Sequence, residues 1–276
     1  MGQKDKYKIN NLKEKAKEVR KMILYMLYKC KGPHIGSSFS IVEILVALYF
    51  KGLSISPKKY QDKNRDRFIL SKGHACPALY ATLFLRGFIS KKVLDGFSVD
   101  GGTLEQHPTR NHRWGIEVST GSLGHGLSIG AGMAVAGKAD KRKYRVFVLL
   151  GDGEINEGSI WEAAMFASHN KLDNLIAIID LNKIQALGNT EEVINMEPLA
   201  EKWRSFGWAV REIDGHNFKD ILNVLEKIPF QRKKPSVIIA NTTKGKGVSF
   251  MENDLLWHYR CPDEGEYKRA LKEILK

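Results

Sequence analysis

Hydrophobic positions along this chain fall into two regimes. In the first, they recur at helical spacing: Val19, Ile23, Met26 and Leu27 share one face, which predicts a helix closed near Gly32 and Pro33. A second helix is expected from Ser40, where Ser-x-x-Glu (Ser40, Glu43) reads as a capping box ahead of ILVALYF. Residues 56 to 70 are polar and contain proline, so they read as a connection. Helices over 75 to 86 and 90 to 98 and a glycine-rich loop region from 100 to 125 are expected next.

The second regime alternates. RVFVLL (145 to 150), LIAIID (175 to 180), WAVREID (208 to 214) and SVIIA (236 to 240) read as strands. Between them SIWEAAMFASHNK (159 to 171), EPLAEKWRSFG (197 to 207) and FKDILNVLEKI (218 to 228) read as helices. This order predicts an α/β fold, a mostly parallel sheet with helices on both faces. No repeat or low-complexity linker interrupts it, so residues 1 to 276 read as a single domain.

Composition narrows the class. With 43% hydrophobic and 27% charged residues, the chain has the balance of a globular protein. No apolar stretch is expected to reach the roughly 18 to 20 residues of a membrane span. The first 20 residues are too polar for a signal peptide, which makes a cytoplasmic location the expectation. Cys30, Cys76 and Cys261 are scattered without CxxC spacing, which favours neither a disulfide framework nor a thiolate zinc site. The net charge of +13 and the lysines from Lys4 to Lys21 raise the question of nucleic acid. Those lysines alternate with Glu14 and Glu18 at helical spacing, and no zinc-finger or RNA-binding aromatic motif accompanies them. A solvated helix face is the simpler reading, with phosphorylated substrates or an acidic partner as the alternative.

Candidate chemistry concentrates at VFVLLGDGEINEG (146 to 158). Ligands of an open parallel sheet gather outside the carboxyl ends of its strands. Asp152 lies two residues past one strand and Asn182 two past the next, so the topology lets them meet. Their oxygens suit a hard cation such as Mg²⁺, and Gly151 and Gly153 let backbone approach a phosphate. A tight turn with no ligand is the alternative for Gly-Asp-Gly alone. GMAVAGKA (132 to 139) matches a P-loop until Ala139 stands where Ser or Thr is needed. Gly130, Gly132 and Gly137 are therefore expected to serve close helix packing.

GDG followed 28 residues later by DLN (180 to 182) resembles the thiamine diphosphate fingerprint, and EGSIWEAAMFASHNKLDNL resembles the transketolase branch of that family. GPHIGSS (His34), LSKGHACPALY (His74), LEQHPT (His107) and KGKGVSFMENDLLWHY (His258) resemble further transketolase signatures in family order. The resemblance implies a thiamine diphosphate-binding fold, specifically its diphosphate-binding domain. It implies that Asp152, Asn182 and the carbonyl of Ile184 hold the metal, Mg²⁺ with Ca²⁺ or Mn²⁺ as alternatives. His34, His74 and His258 would flank the diphosphate and the reaction centre, and His107 would contact a substrate hydroxyl. Imidazoles suit such proton transfers near neutral pH.

STGSLGHG (119 to 126) resembles the loop over the aminopyrimidine, with Gly121 and Leu123 as backbone contacts; a plain helix cap is the alternative. Gly151, Gly153 and Lys244 complete the implied cofactor set. Lys244 and Lys246 are read either as phosphate-binding charges or as part of a mobile surface lid. Glu157 matches a glutamate of an intersubunit proton network; Glu162 matches another, or caps a helix begun at Ser159. Three departures stand out: Pro33 before His34, His125 in place of a glutamine, and Leu187 where aspartate is common.

The resemblance covers roughly residues 10 to 262 and accounts only for the diphosphate-binding part of a transketolase. The glutamate that engages the cofactor's pyrimidine ring belongs in that family to another domain. The expectation is therefore the N-terminal subunit of a split transketolase, α₂β₂ with a separately encoded C-terminal subunit. It would move a two-carbon ketol unit from a ketose to an aldose, with sugars or sugar phosphates as substrates. Alternatives are a carboligase for a nucleotide-linked or secondary-metabolite sugar, a 2-oxo acid dehydrogenase α subunit, and a non-catalytic binding protein of the same fold.

Overall fold

Apolar runs, interrupted only by Asp180 near the end of the second, make β2 (Val146–Gly151) and β3 (Leu175–Leu181) central strands, buried on both faces. Side chains alternate across the sheet. Phe147, Leu149, Ile176 and Ile178 enter one apolar layer, and Val146, Val148, Leu150, Ala177 and Ile179 the other. The computed structural model describes residues 3–276, and residues 3–7 by backbone alone, so the side chains of Lys4 and Lys6 lie outside the described residues.

The other strands are β1 (Arg67–Leu70), β4 (Ile184–Gln185), β5 (Gly188–Asn189), β6 (Ala209–Asp214) and β7 (Ser236–Asn241). Five of the seven strands form one parallel sheet in the order β1-β2-β3-β7-β6, and β4 and β5 form a separate two-stranded antiparallel hairpin. Helices Gly126–Ala139, Gly158–His169 and Leu199–Ser205 precede β2, β3 and β6 and pack on one face. Helix Phe218–Leu225, between β6 and β7, packs on the other. The return from the edge strand β6 to β7 reverses direction along the sheet, and a right-handed crossover then requires the opposite face. Helices Gln3–Cys30 and Cys76–Leu85 complete that second layer.

Four expectations fail here. Strand β1 lies inside the stretch read as a connection. Its four residues follow Arg65 and Asp66, and a run that short shows no period of its own. Ser40 caps nothing by side chain: it follows helix Ile35–Phe39, and its Oγ donates to Asp180 Oδ2 at 2.7 Å and to the Ser37 carbonyl at 3.1 Å. Residues 35–52 are long and apolar enough to cross a membrane by length and composition, contrary to the reading that no stretch is, and 83% of that segment is buried in the fold. Helix packing explains Gly130 and Gly137, where an added Cβ would lie 2.6 Å from Val148 and 2.8 Å from the Tyr144 ring. Gly132 has nothing within 4 Å, so packing does not explain it.

Candidate active site

The carboxyl ends of β1, β2, β3 and β7 are in register, with Leu70 beside Leu149, Gly151 beside Asp180 and Asp180 beside Ala240. The residues just beyond them therefore converge. A cavity of about 350 Å³ opens there. It is lined by His34, Lys72, His74, His107, Gly121, Leu123, Gly151, Asp152, Gly153, Glu154, Asn182, Ile184 and His258, among others. Eleven residues singled out from sequence are thus brought to one place. Lys244 stands directly behind: its ammonium donates to the Ile184 carbonyl at 2.9 Å and lies 2.8 Å from His258 Nδ1.

Asp180 organises the floor. Its carboxylate is fully buried and accepts from Lys72 Nζ (2.6 Å), Ser40 Oγ (2.7 Å), Asn182 Nδ2 (2.9 Å) and Thr242 Oγ1. Burial alone would raise this carboxyl; Lys72 and the donors around it hold it below its ordinary value. Because Asp180 takes the Asn182 amide nitrogen, the orientation of the Asn182 carbonyl oxygen is fixed. That oxygen accepts the Ile184 N–H at 3.2 Å. Asp152 accepts the N–H groups of Gly153 (2.8 Å) and Lys183 (2.6 Å).

Glu154 ties the glycine loops together. It accepts the N–H groups of Gly124 and Gly151, both at 3.0 Å, and the Ser71 hydroxyl. Ser71 Oγ in turn accepts the Gly126 N–H at 3.2 Å, so the helix beginning at Gly126 is capped from the β1 end rather than by His125. His125 is exposed, with Nδ1 at 3.1 Å from the Leu123 carbonyl. Gly153 is a glycine for a local reason: a Cβ there would lie 2.7 Å from that of Gln185 in the hairpin.

The imidazoles form a cluster, with ring centroids 5.1 Å apart for His34 and His74, 5.2 Å for His34 and His258, and 6.4 Å for His34 and His107. Burial lowers His34 to about 4, helped by His107, and lowers His258 to about 3, helped by Lys244. His74 falls well below its ordinary value through burial and Lys72, and burial lowers His107 as well. Lys244 is drawn down to about 8 by burial and then by Lys72. The rings are therefore neutral near pH 7, each able to donate at one nitrogen and accept at the other. In the unliganded chain, NMR should show His34 and His258 untitrated between pH 5 and 8; a titration near 6.5 would contradict the burial argument. Their folded values lie below the ordinary one, so their contribution to stability is complete above about 6.5 and is lost as pH falls toward 4.

Residues 12–271 match the family described as transketolase, thiamine diphosphate binding domain. The chain belongs to the transketolase family. It is 46% identical to one named subunit of the apulose-4-phosphate transketolase of Phocaeicola vulgatus, over 96% of this chain and 94% of that one. It is 44% identical to a 6-deoxy-6-sulfo-D-fructose transketolase subunit of a Clostridium species, over 96% and 97%. The Campylobacter jejuni transketolase structure superposes with a TM-score of 0.89 at 31% identity, covering 95% of this chain. This chain spans only 42% of that one. Those two relatives, matched over nearly their whole length, are named as subunits, which implies a separate partner subunit.

The cavity suits the thiamine diphosphate of this transketolase family. Gln185 lines it, and its buried Nε2 has no partner among the described residues, leaving a donor for an anionic oxygen. Asp152, Asn182 and Ile184 present only oxygen, and each keeps a lone pair beyond its present hydrogen bond. Burial and the nearby Asp180 raise Asp152 to about 6, the mark of a carboxylate that a cation would neutralise. Among the described residues no three His, Cys, Asp or Glu side chains group as a metal site, so a cation would depend on amide and carbonyl oxygens as well.

Other sequence readings separate from the cavity. Lys244 is 1% exposed, which excludes the surface-lid reading for it, and Lys246 lies 3.2 Å from Glu252 as an ion pair. Glu157 and Glu162 are exposed and do not line the cavity. Ser159 is the second residue of helix Gly158–His169 and donates to the Gly124 carbonyl, so it begins no capping box with Glu162. Leu187 is 78% exposed at the β4–β5 turn. Lys72, Asp180 and Glu154 were missed as individual residues, although each sits inside a quoted motif.

Proposed function

We propose that this chain supplies the diphosphate-binding half of a split transketolase that moves a two-carbon ketol unit between sugars, assembled as α₂β₂ with a partner carrying the pyrimidine-binding half. The observation that carries the reading is the convergence of three oxygen donors and four neutral imidazoles in one cavity at the strand ends. Asp152, Asn182 and the Ile184 carbonyl would hold Mg²⁺, with the diphosphate beside it. Gly121 and Leu123 would meet the aminopyrimidine through backbone groups. Bound thiamine diphosphate supplies the electron sink that lets a carbon–carbon bond break and form.

The chain's own residues bind and move protons around that event. His34, His74 and His258 present neutral nitrogens to substrate hydroxyls, accepting a proton where one is lost and returning it where an alkoxide forms. His107 would orient a hydroxyl. Lys72 and Lys244 would supply positive charge to help hold the diphosphate. Glu157, at the exposed face, is assigned to a proton network completed by the neighbouring subunit. The two relatives' names each specify a sugar with a phosphate or sulfo group, which supports an anionic sugar substrate here.

Native mass spectrometry of the complex purified from its source, followed by ketol-transfer assays, tests the reading. The expected result is a stoichiometric second chain, negligible turnover by this chain alone, and restoration on mixing. Full activity from this chain alone would overturn the split assignment.

A further inference from the structure

A second concavity, about 590 Å³ and lined in part by His112, lies apart from the four clustered histidines, at the outer edge of the sheet beside β1. Lys63, Arg65, Arg67 and Arg110 bring four cationic groups to it, against two carboxylates, Asp62 and Glu117. Glu117 is buried and is bound by both terminal nitrogens of the Arg65 guanidinium, so its charge is already engaged. Asp62 accepts the Asn64 N–H at 2.8 Å and shapes a turn. Arg67 is held in place, its guanidinium 4.7 Å over the Tyr144 ring and donating to the carbonyls of Lys63 and Arg65. Arg110 donates Nε to His112 at 3.1 Å and makes no ion pair within 4.0 Å among the described residues.

We propose that this concavity binds the phosphate group of a small phosphorylated molecule. A fixed guanidinium (Arg67), a second one without a carboxylate (Arg110) and an exposed ammonium (Lys63) surround a space within the range of small-molecule sites. Arginine forks match phosphate oxygens in pairs, and the ammonium adds a point charge. Burial and then the charge of Arg65 lower the pKa of Arg67, and Glu117, 3.9 Å from its Nε, offsets part of that shift. The loop carrying Arg110 is closed by the Thr120 N–H on the Pro108 carbonyl, and its flanking residues His107 and Gly121 line the first cavity. A ligand here therefore sits on a segment anchored at both ends in the candidate active site. The inference does not depend on the function proposed above.

The test is an NMR titration of the full chain, with thiamine diphosphate and Mg²⁺ present, against inorganic phosphate and glycerol 3-phosphate. Sodium chloride near 0.15 M screens diffuse attraction. The Nε–H signals of Arg67 and Arg110 report locally. Saturable shifts are expected, with the ester binding more tightly than the free ion because the space extends beyond one phosphate. Lys63→Ala with Arg110→Ala, both at exposed positions, should weaken binding by about tenfold or more with the melting temperature retained, and Arg110→Lys should fall between. Linear shifts, or an unchanged curve in the double variant, would overturn the proposal. An ester no tighter than inorganic phosphate would overturn the assignment to a phosphorylated molecule.

Discussion

Asp152→Ala is expected to remove thiamine diphosphate binding and ketol transfer together in the assembled enzyme, with cofactor affinity in Mg²⁺ falling by at least about 100-fold. Altering even the outer partners of a metal ligand costs about 10- to 100-fold, and Asp152 is the sole carboxylate among the three proposed donors. The fold should survive. Among the described residues the Asp152 side chain bonds only to the Gly153 and Lys183 N–H groups, and burial already makes its charge unfavourable in the unliganded chain. Isothermal titration with cofactor and Mg²⁺, paired with a thermal melt, separates the two effects. Lost binding with a retained melt supports the assignment, and retained tight binding would remove Asp152 from the metal site.

Asp152 also shows what a sequence discloses. Its position just beyond a buried strand follows from the apolar run, although the strand reaches Gly151 and leaves Asp152 one residue past its end rather than two, and parallel topology then brings it near Asn182. The four histidines were visible only through resemblance, since no period or spacing links positions 34, 74, 107 and 258. Lys72 and Asp180 were hidden for a different reason. A lysine read on its own belongs at the surface, and only the structure shows the Lys72 ammonium within 2.6 Å of a buried carboxylate 108 positions away. Ser40 and Glu43 mark the opposite error. A local pattern suggested a capping box, yet both side chains point to distant partners, Asp180 and Arg20. Short strands such as β1 are equally illegible, because their place is set by the neighbour they pair with.

Glu43 leads to the largest expected loss of stability. Its carboxylate is held by Arg20 Nη1 at 2.5 Å and Nη2 at 2.8 Å, with His216 Nδ1 at 2.9 Å. Burial alone would raise the Glu43 carboxyl, but Arg20 and His216 override it and hold it at about 2. Removing one member of a buried pair strands the other, and Glu43→Ala should cost about 3 to 5 kcal/mol in urea unfolding. Because the folded value lies below the ordinary 4.5, the contribution of this carboxylate is complete above that pH. It is lost as pH falls toward 2. Arg20→Met with Glu43→Leu should recover much of the loss, since well-packed apolar replacements avoid the stranded charge. The consequence reaches the candidate site. Arg20 Nε also donates to the Lys246 carbonyl at 2.7 Å, and His216 Nε2 accepts the Thr243 N–H at 2.8 Å, so Glu43 fixes both clamps on the segment that carries Lys244. Glu43→Ala should therefore speed hydrogen exchange across residues 243 to 247 beyond the global change and weaken cofactor binding in the complex. A uniform loss of protection, with cofactor affinity unchanged, would confine Glu43 to the core and detach it from the site.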